Sequence, residues 1–288
     1  MTTLNIDAST LEGRFMACPR EYYHYGILRR ESCGPFTGRA FGRVMHKVLL
    51  AHYSGKKPSP DDISAMWQTE CHDIQDGDYR NAGFASTVYD QYRATYPNEP
   101  FSVFGVEDIP VCELPFAFPL FCTSDTIINW SGIVDLVTKW PDGYWVMDHK
   151  TSSVAGETFW AQFQRSTAQL GYCWAVWKHF GIMPKGYIVN ALFLRAPTRT
   201  GKGIEFARQK YPITEEDLSV WEWNTTEVVQ RLLEARRDNI YPMHTNACVR
   251  RYGLCEYLEV CRLPQVEQLA LLNSGMYRPV TWNPLAQP

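Results

Sequence analysis

The sequence predicts an α/β fold, and three observations lead there. Four segments with helical spacing of apolar residues fill the chain before residue 100, and a β-rich stretch with a hairpin signal follows to residue 151. Helical and strand-like segments then alternate to residue 239. Across 288 residues, 45% hydrophobic and 20% charged residues match a folded chain with a sizeable core and exclude disorder. With 28 Lys and Arg against 31 Asp and Glu the net charge is −3, so contact with a polyanion has to come from a local basic track. The N-terminal MTTLNIDASTLEGRF lacks the pattern of a secretory signal, and no apolar run reaches the roughly 18 residues of a membrane span. A cytoplasmic protein of bacterial or viral origin, with no membrane partner, is expected.

Residues 8–30 open with Ser9, Thr10 and Glu12 and place Leu11, Phe15, Met16, Tyr22, Tyr23 and Ile27 at helical intervals, while Pro19 divides them into two short helices. Thr37 caps a helix to Tyr53 whose buried stripe is Phe41, Val44, Met45, Val48 and Leu49. Helices over 60–75 and 84–95 follow, separated by the polar run Gln75 to Asp78. From Phe101 the chain turns to strand, with 125–139 and 143–151 joined by Trp140-Pro141-Asp142-Gly143 as a hairpin. A helix over 158–180, strands over 186–195 and 204–212, and a helix from Thr214 to Asn239 complete the regular part. The remainder reads as irregular and cysteine-bearing.

The hairpin carries the chemistry. Symmetric pairing about its turn sets Asp135 directly opposite Asp148, where two like charges are destabilising unless a cation lies between them. Period-two alternation puts Lys150 on the face of Asp148 and His149 on the other, with the His149 carbonyl near the carboxylates. Such a hard-oxygen site suits Mg²⁺ or Mn²⁺, with a lysine beside a water, and points to phosphodiester hydrolysis; the same Asp148 and Lys150 also suit a surface ion pair. On the helix over 37–53, Arg39, Arg43 and His46 share a face, and Gly38 and Gly42 leave room for a close approach. That face offers a nitrogen ligand and phosphate contacts, or an ordinary solvated flank.

Nine cysteines in a reducing compartment are thiols or metal ligands. Cys248, Cys255 and Cys261 cluster as C-x6-C-x5-C, one thiolate short of a four-ligand site, and this spacing alone does not choose between zinc and an iron–sulfur cluster. Arg250 and Arg251 lie in the same segment and offer a phosphate-binding edge. Near the N-terminus, Arg20 stands beside Tyr22, Tyr23 and Tyr25, a group suited to unpaired bases or to packing.

Taken in order, Cys18-Pro19-Arg20, Gly42-Arg43-Val44-Met45-His46, Gly132-Ile133-Val134-Asp135, Asp148-His149-Lys150-Thr151, Gln169-Leu170-Gly171-Tyr172 and the C-terminal cysteines resemble the RecB-type branch of the PD-(D/E)XK nucleases over about residues 9 to 262. The resemblance is to the iron–sulfur members, which include the CRISPR-associated adaptation nuclease, the AddB nuclease domain and phage recombination exonucleases. It implies one domain over 1–288 built on a restriction-endonuclease-like mixed sheet flanked by helices. Within it lie a helical insertion over 37–100, a catalytic sheet core over 101–213, a helix and iron–sulfur segment over 214–262 and a tail over 263–288.

The implied activity is a Mg²⁺- or Mn²⁺-dependent DNA exonuclease acting on single-stranded or free-ended DNA, with a recombination or CRISPR adaptation protein as partner. His46, Asp135, Asp148 and the His149 carbonyl become metal ligands, Glu113 an extra acid and Lys150 the catalytic lysine. Gln169 and Tyr172, three apart where the family spaces them by four, support Lys150 and contact DNA. Cys18 completes a [4Fe–4S] site with the three C-terminal cysteines, with Cys33 in reserve. Arg20, Arg39, Arg43, Arg250 and Arg251 are the expected DNA contacts. The rival reading is a nuclease fold that keeps its cluster and grips DNA without cutting.

Overall fold

The computed structural model describes residues 2–33, 37–70, 79–107, 109–196, 203–250, 253–280, 283 and 285. The chain is a mixed α/β fold with a central mixed sheet flanked by helices. It divides into two compact units, one made of Met1–Gly34, Ala117–Ser131 and Val220–Ala286, the other of Pro35–Phe116 and Gly132–Ser219.

The hairpin turn sets the strand pairing at the centre of the sheet. β1 (Thr2–Ile6) and β2 (Cys112–Cys122) precede the long β3 (Thr126–Trp140), whose C-terminal half pairs antiparallel with β4 (Gly143–Ser152). β4 runs parallel to β5 (Gly186–Leu194), and β5 pairs antiparallel with β6 (Ile204–Pro212). Every residue of β5 is buried, as a strand covered on both faces demands. Helix α1 (Thr37–Tyr53) lays Phe41, Val44, Met45, Val48 and Leu49 against Leu136, Met147, Ile188 and Leu192 of the sheet. Each of those five helix side chains contributes about 1.5–3 kcal/mol by leaving water. Helices α2 (Pro60–Glu70) and α3 (Ala82–Thr95) cover the far side of α1, α3 starting at Asn81, whose side chain accepts the Phe84 N–H.

The expected helix over 158–180 is two helices, Glu157–Ala161 and α4 (Thr167–Phe180). The break falls beside Arg165, whose φ of 53° lies outside the helical region, a conformation that apolar spacing does not reveal. α5 (Glu215–Asp238) begins in a box in which Thr214 and Asp217 satisfy each other's amides, as expected. The helix expected over 60–75 ends at Glu70 within the described residues, and 71–78 lie outside them.

In the first unit β1, which the sequence reading missed, pairs parallel with Thr126–Trp130. The N-terminal cap is Asp7, whose Oδ1 accepts the Thr10 N–H at 2.6 Å. Two wide-turned helical stretches, Leu11–Met16 and Tyr23–Ile27, flank Cys18 and Pro19. The C-terminal segment is more regular than expected. It holds α6 (Gln265–Leu272) and the strand Tyr277–Pro279 paired to Arg30–Ser32, secured where Tyr277 stacks on Tyr257 over a small core with Tyr25, Val260 and Leu272. Among the described residues no helix is long and apolar enough to cross a membrane.

Gly186 opens β5 at a φ of 153°, and a Cβ there would meet the Tyr211 carbonyl oxygen at 2.1 Å. Gly186→Ala is therefore expected to destabilise the protein by about 3 kcal/mol or more, read as a lower midpoint in urea unfolding.

Candidate active site

The β3–β4 ladder runs from Trp140↔Gly143 to Leu136↔Met147, the expected register, and Asp135 and Asp148 stand one residue past its last pair. Both are buried, Asp148 at 1% exposure. Asp135 turns its Oδ2 to the His149 N–H at 2.7 Å, so the side chain takes an amide that the ladder would otherwise use.

From α1, His46 brings Nδ1 to 3.5 Å from Asp135 Oδ2 and 3.7 Å from Glu113 Oε1. Ligand atoms of His46, Glu113 and Asp135 all lie within 4.8 Å of one another, a nitrogen-and-carboxylate set able to hold a divalent ion. Glu113 reaches the group through a left-handed backbone, φ 48°, inside β2. A non-glycine residue in that region costs roughly 1–3 kcal/mol, strain of the kind that gathers at functional sites. Glycines let the elements close in. A Cβ on Gly42 would meet Thr151 Oγ1 at 3.1 Å, and one on Gly132 would meet the Phe116 and Tyr172 rings at 3.2 Å.

Asp148 is held separately. Lys150 Nζ lies 2.9 Å from its Oδ1 and 2.7 Å from its Oδ2, and Gln169 Nε2 donates to Oδ2 at 2.9 Å. The buried Oε1 of Gln169 has no hydrogen-bond partner among the described residues, so an acceptor is available for an incoming donor. Tyr172 packs edge-on against Phe116.

Burial and charge compete throughout this group. Burial works against the ionised form of Asp135, but His46 outweighs it and holds the carboxyl below its usual range. Burial likewise opposes charge on His46, yet Asp135 and Glu113 lift its pKa to about 10. For Glu113 and Asp148 burial wins and both carboxyls titrate above their ordinary values, despite His46 for the first and Lys150 for the second. Burial works against Lys150 too, but Asp148 and Asp135 raise its pKa. The two acids with raised pKa values mark where another cation would be most stabilising.

A buried polar network, which the sequence reading missed, braces the same strand from behind. His149 is neutral, its pKa lowered by burial to about 3, and its ring stacks on Tyr53 at 5.7 Å with Asn190 Nδ2 2.9 Å from Nδ1. Arg208 donates to Asn190, Tyr53, Tyr92 and both Glu99 oxygens, and Tyr53 donates to Glu99 at 2.7 Å. The one sequence signal was Asn190, a lone carboxamide in the apolar run Gly-Tyr-Ile-Val-Asn-Ala-Leu-Phe-Leu.

The expected basic contacts divide. Arg43 is paired with Glu70, which also takes Lys47, and Arg250 is paired with Glu21, which also takes Arg14. Arg39 is exposed, Arg20 makes no ion pair among the described residues, and Arg251 lies outside them. In the first unit Cys18, Cys248, Cys255 and Cys261 line one small cavity with Tyr257. The His244 N–H points at the Cys18 sulfur at 3.4 Å, and His24 Nε2 lies 3.6 Å from that of Cys261. Among the described residues no three thiol sulfurs come within 4.8 Å of one another. Cys33 and Cys122 are exposed, and Cys71 lies outside the described residues.

Comparison with family models matches residues 8–262 to the PD-(D/E)XK nuclease superfamily. No curated protein matches. Among solved structures the chain is similar to a candidate exonuclease from Eubacterium rectale, at 10% identity and a TM-score of 0.56, covering 91% of this chain and 89% of that one. At that identity the likeness speaks to the fold alone.

The convergence of His46, Glu113 and Asp135 predicts that Glu113→Gln and His46→Ala each weaken Mn²⁺ binding by about tenfold or more, measured by isothermal titration. Wild-type affinity in Glu113→Gln would remove that residue from the ligand set.

Proposed function

Because the chain belongs to the PD-(D/E)XK nuclease superfamily, we propose that it is a Mg²⁺- or Mn²⁺-dependent deoxyribonuclease that digests single-stranded or free-ended DNA. The observation that carries this reading is the gathering of His46, Glu113 and Asp135 beside the paired Asp148 and Lys150. An imidazole and carboxylates are a fitting donor set for such an ion, and the His149 carbonyl is a further candidate. Bound there, the ion would polarise a phosphate oxygen and lower the pKa of a water. Lys150 supplies the ammonium that offsets charge developing on the phosphate. Asp148 holds that ammonium in place, and Gln169 anchors Asp148 through its amide while its free Oε1 can accept from the attacking water. The name of the Eubacterium rectale protein supports attack at strand ends. Arg20 is the DNA contact this reading retains.

Cys18, Cys248, Cys255 and Cys261 are assigned a [4Fe–4S] cluster. Four thiolates suit either zinc or the cluster, but zinc at about 2.3 Å from each sulfur would draw the sulfurs to about 3.8 Å apart. The resemblance to the iron–sulfur members of the family favours the cluster. The cluster would tie residue 18 to residues 248–261 and thereby stabilise the fold without redox turnover. A cytoplasmic setting of bacterial or viral origin, with a recombination or CRISPR adaptation protein as partner, completes the proposal.

With Mn²⁺, the purified protein is expected to shorten linear single strands and spare closed circles. Asp148→Ala and Lys150→Ala should each slow digestion by about a thousandfold. Full activity in both variants would reject the site, and absence of digestion by the wild type would favour the silent DNA-gripping reading. Cys248→Ala is expected to lose the brown colour and visible absorbance of the purified protein; a colourless wild type containing zinc would overturn the cluster.

A further inference from the structure

A cleft in the first unit, about 230 Å³ in volume, is lined by Arg20, Tyr23, Asn239, Tyr241, Gln265 and Gln268. We propose that it is a subsite for one nucleotide of a single DNA strand, taking a phosphate on Arg20 and a base on the Tyr23 and Tyr241 rings. This deepens the reading of DNA as substrate and rests on it.

The lining itself argues for this ligand. Among the described residues no carboxylate lines the cleft and its cation makes no ion pair: Arg14, Arg250, Arg262 and Arg278 are committed to acids, whereas Arg20 lies over the Tyr23 ring with its guanidinium carbon 5.5 Å from the centroid. An arginine with an open fork is suited to a phosphate. The Tyr23 and Tyr241 rings lie 5.0 Å apart and tilted by 35°, and Tyr241 is buried while Tyr23 is half-exposed, so one ring is fixed and the other presents a face. Asn239, Gln265 and Gln268 add carboxamides, which both donate and accept and so suit the edge of a base.

The walls are held firmly. The Arg20 N–H donates to the Pro242 carbonyl at 3.2 Å, next to Tyr241, and Gln268 Nε2 donates to the Leu263 carbonyl at 2.8 Å. Asn239 follows α5 in the left-handed conformation, φ 52°, which asparagine tolerates at a helix end. The chemistry of the lining fits one nucleotide, with part of it left open to solvent. A duplex keeps its base faces stacked inside, so a pocket with an aromatic wall selects an unpaired residue.

The test is fluorescence anisotropy of a labelled thymidine oligomer of about ten nucleotides, titrated with the full-length protein in a metal chelator so that nothing is cut. Arg20→Gln should weaken binding about tenfold and make the salt dependence shallower by about 0.7 in log–log slope, one phosphate contact, with Arg20→Lys restoring the slope. Tyr23→Leu should weaken binding about fivefold or more with the slope unchanged, and Tyr23→Phe should restore it. Gln265→Glu, on an exposed residue, should weaken binding without touching the fold and carries the test if Tyr23→Leu proves unstable. The proposal is overturned if the variants bind like the wild type, if the wild type does not bind the oligomer, if a blunt duplex loses as much as the single strand, or if free thymidine monophosphate competes as well as the oligomer. Digestion by the wild type with unchanged binding in the variants rejects the cleft alone; the predicted binding losses in a protein that never digests DNA support the cleft and reject the nuclease reading.

Discussion

Two buried acids at the end of one β ladder set the terms for everything around them. Asp135 and Asp148 are fixed close together by the hairpin register, and neither can be solvated. Removing a carboxylate from water costs several kcal/mol, and stranding one without its partner costs about 3–5 kcal/mol. The chain answers with separate cations, His46 for Asp135 and Lys150 for Asp148. Glu113 then adds a third carboxyl to a place already crowded with negative charge, by means of a backbone conformation its own strand disfavours. A protein selected for stability alone would have little use for that arrangement.

Rigidity at the front of the strand depends on what lies behind it. His149 faces away from the acids and is gripped by Tyr53 and Asn190, while its main-chain amide grips Asp135. One residue thus joins the buried Tyr53–Tyr92–Glu99–Arg208 network to the acid nearest His46. Polar networks of this kind are costly when incomplete and stiff when satisfied. Here the satisfied network limits how far the His149 segment can drift.

Much of this was legible in the sequence because it is local. The turn and symmetric pairing about it fix the hairpin, so the positions of Asp135, Asp148 and Lys150 follow from counting. His46 follows from helical spacing, and the four cysteines from their clustering and from resemblance. What could not be read depends on partners distant in the chain or on backbone angles. Glu113 came from resemblance alone, because nothing in its own strand pattern signals a positive φ. Arg43 and Arg250 looked free until folding brought Glu70 and Glu21 to them. Arg208 and Glu99, 109 residues apart, offered no pattern at all.

The parallel pairing of β4 with β5 has a consequence for how the chain is made. The β3–β4 hairpin is local in sequence, whereas β5 begins 34 residues after β4 ends and reaches it only through α4. During vectorial synthesis on the ribosome the hairpin can therefore zip while its outer edge is still bare, and that edge is an open template for a neighbouring nascent chain. Until β5 emerges, Asp148 and Lys150 are the charged side chains that β4 itself offers against premature pairing.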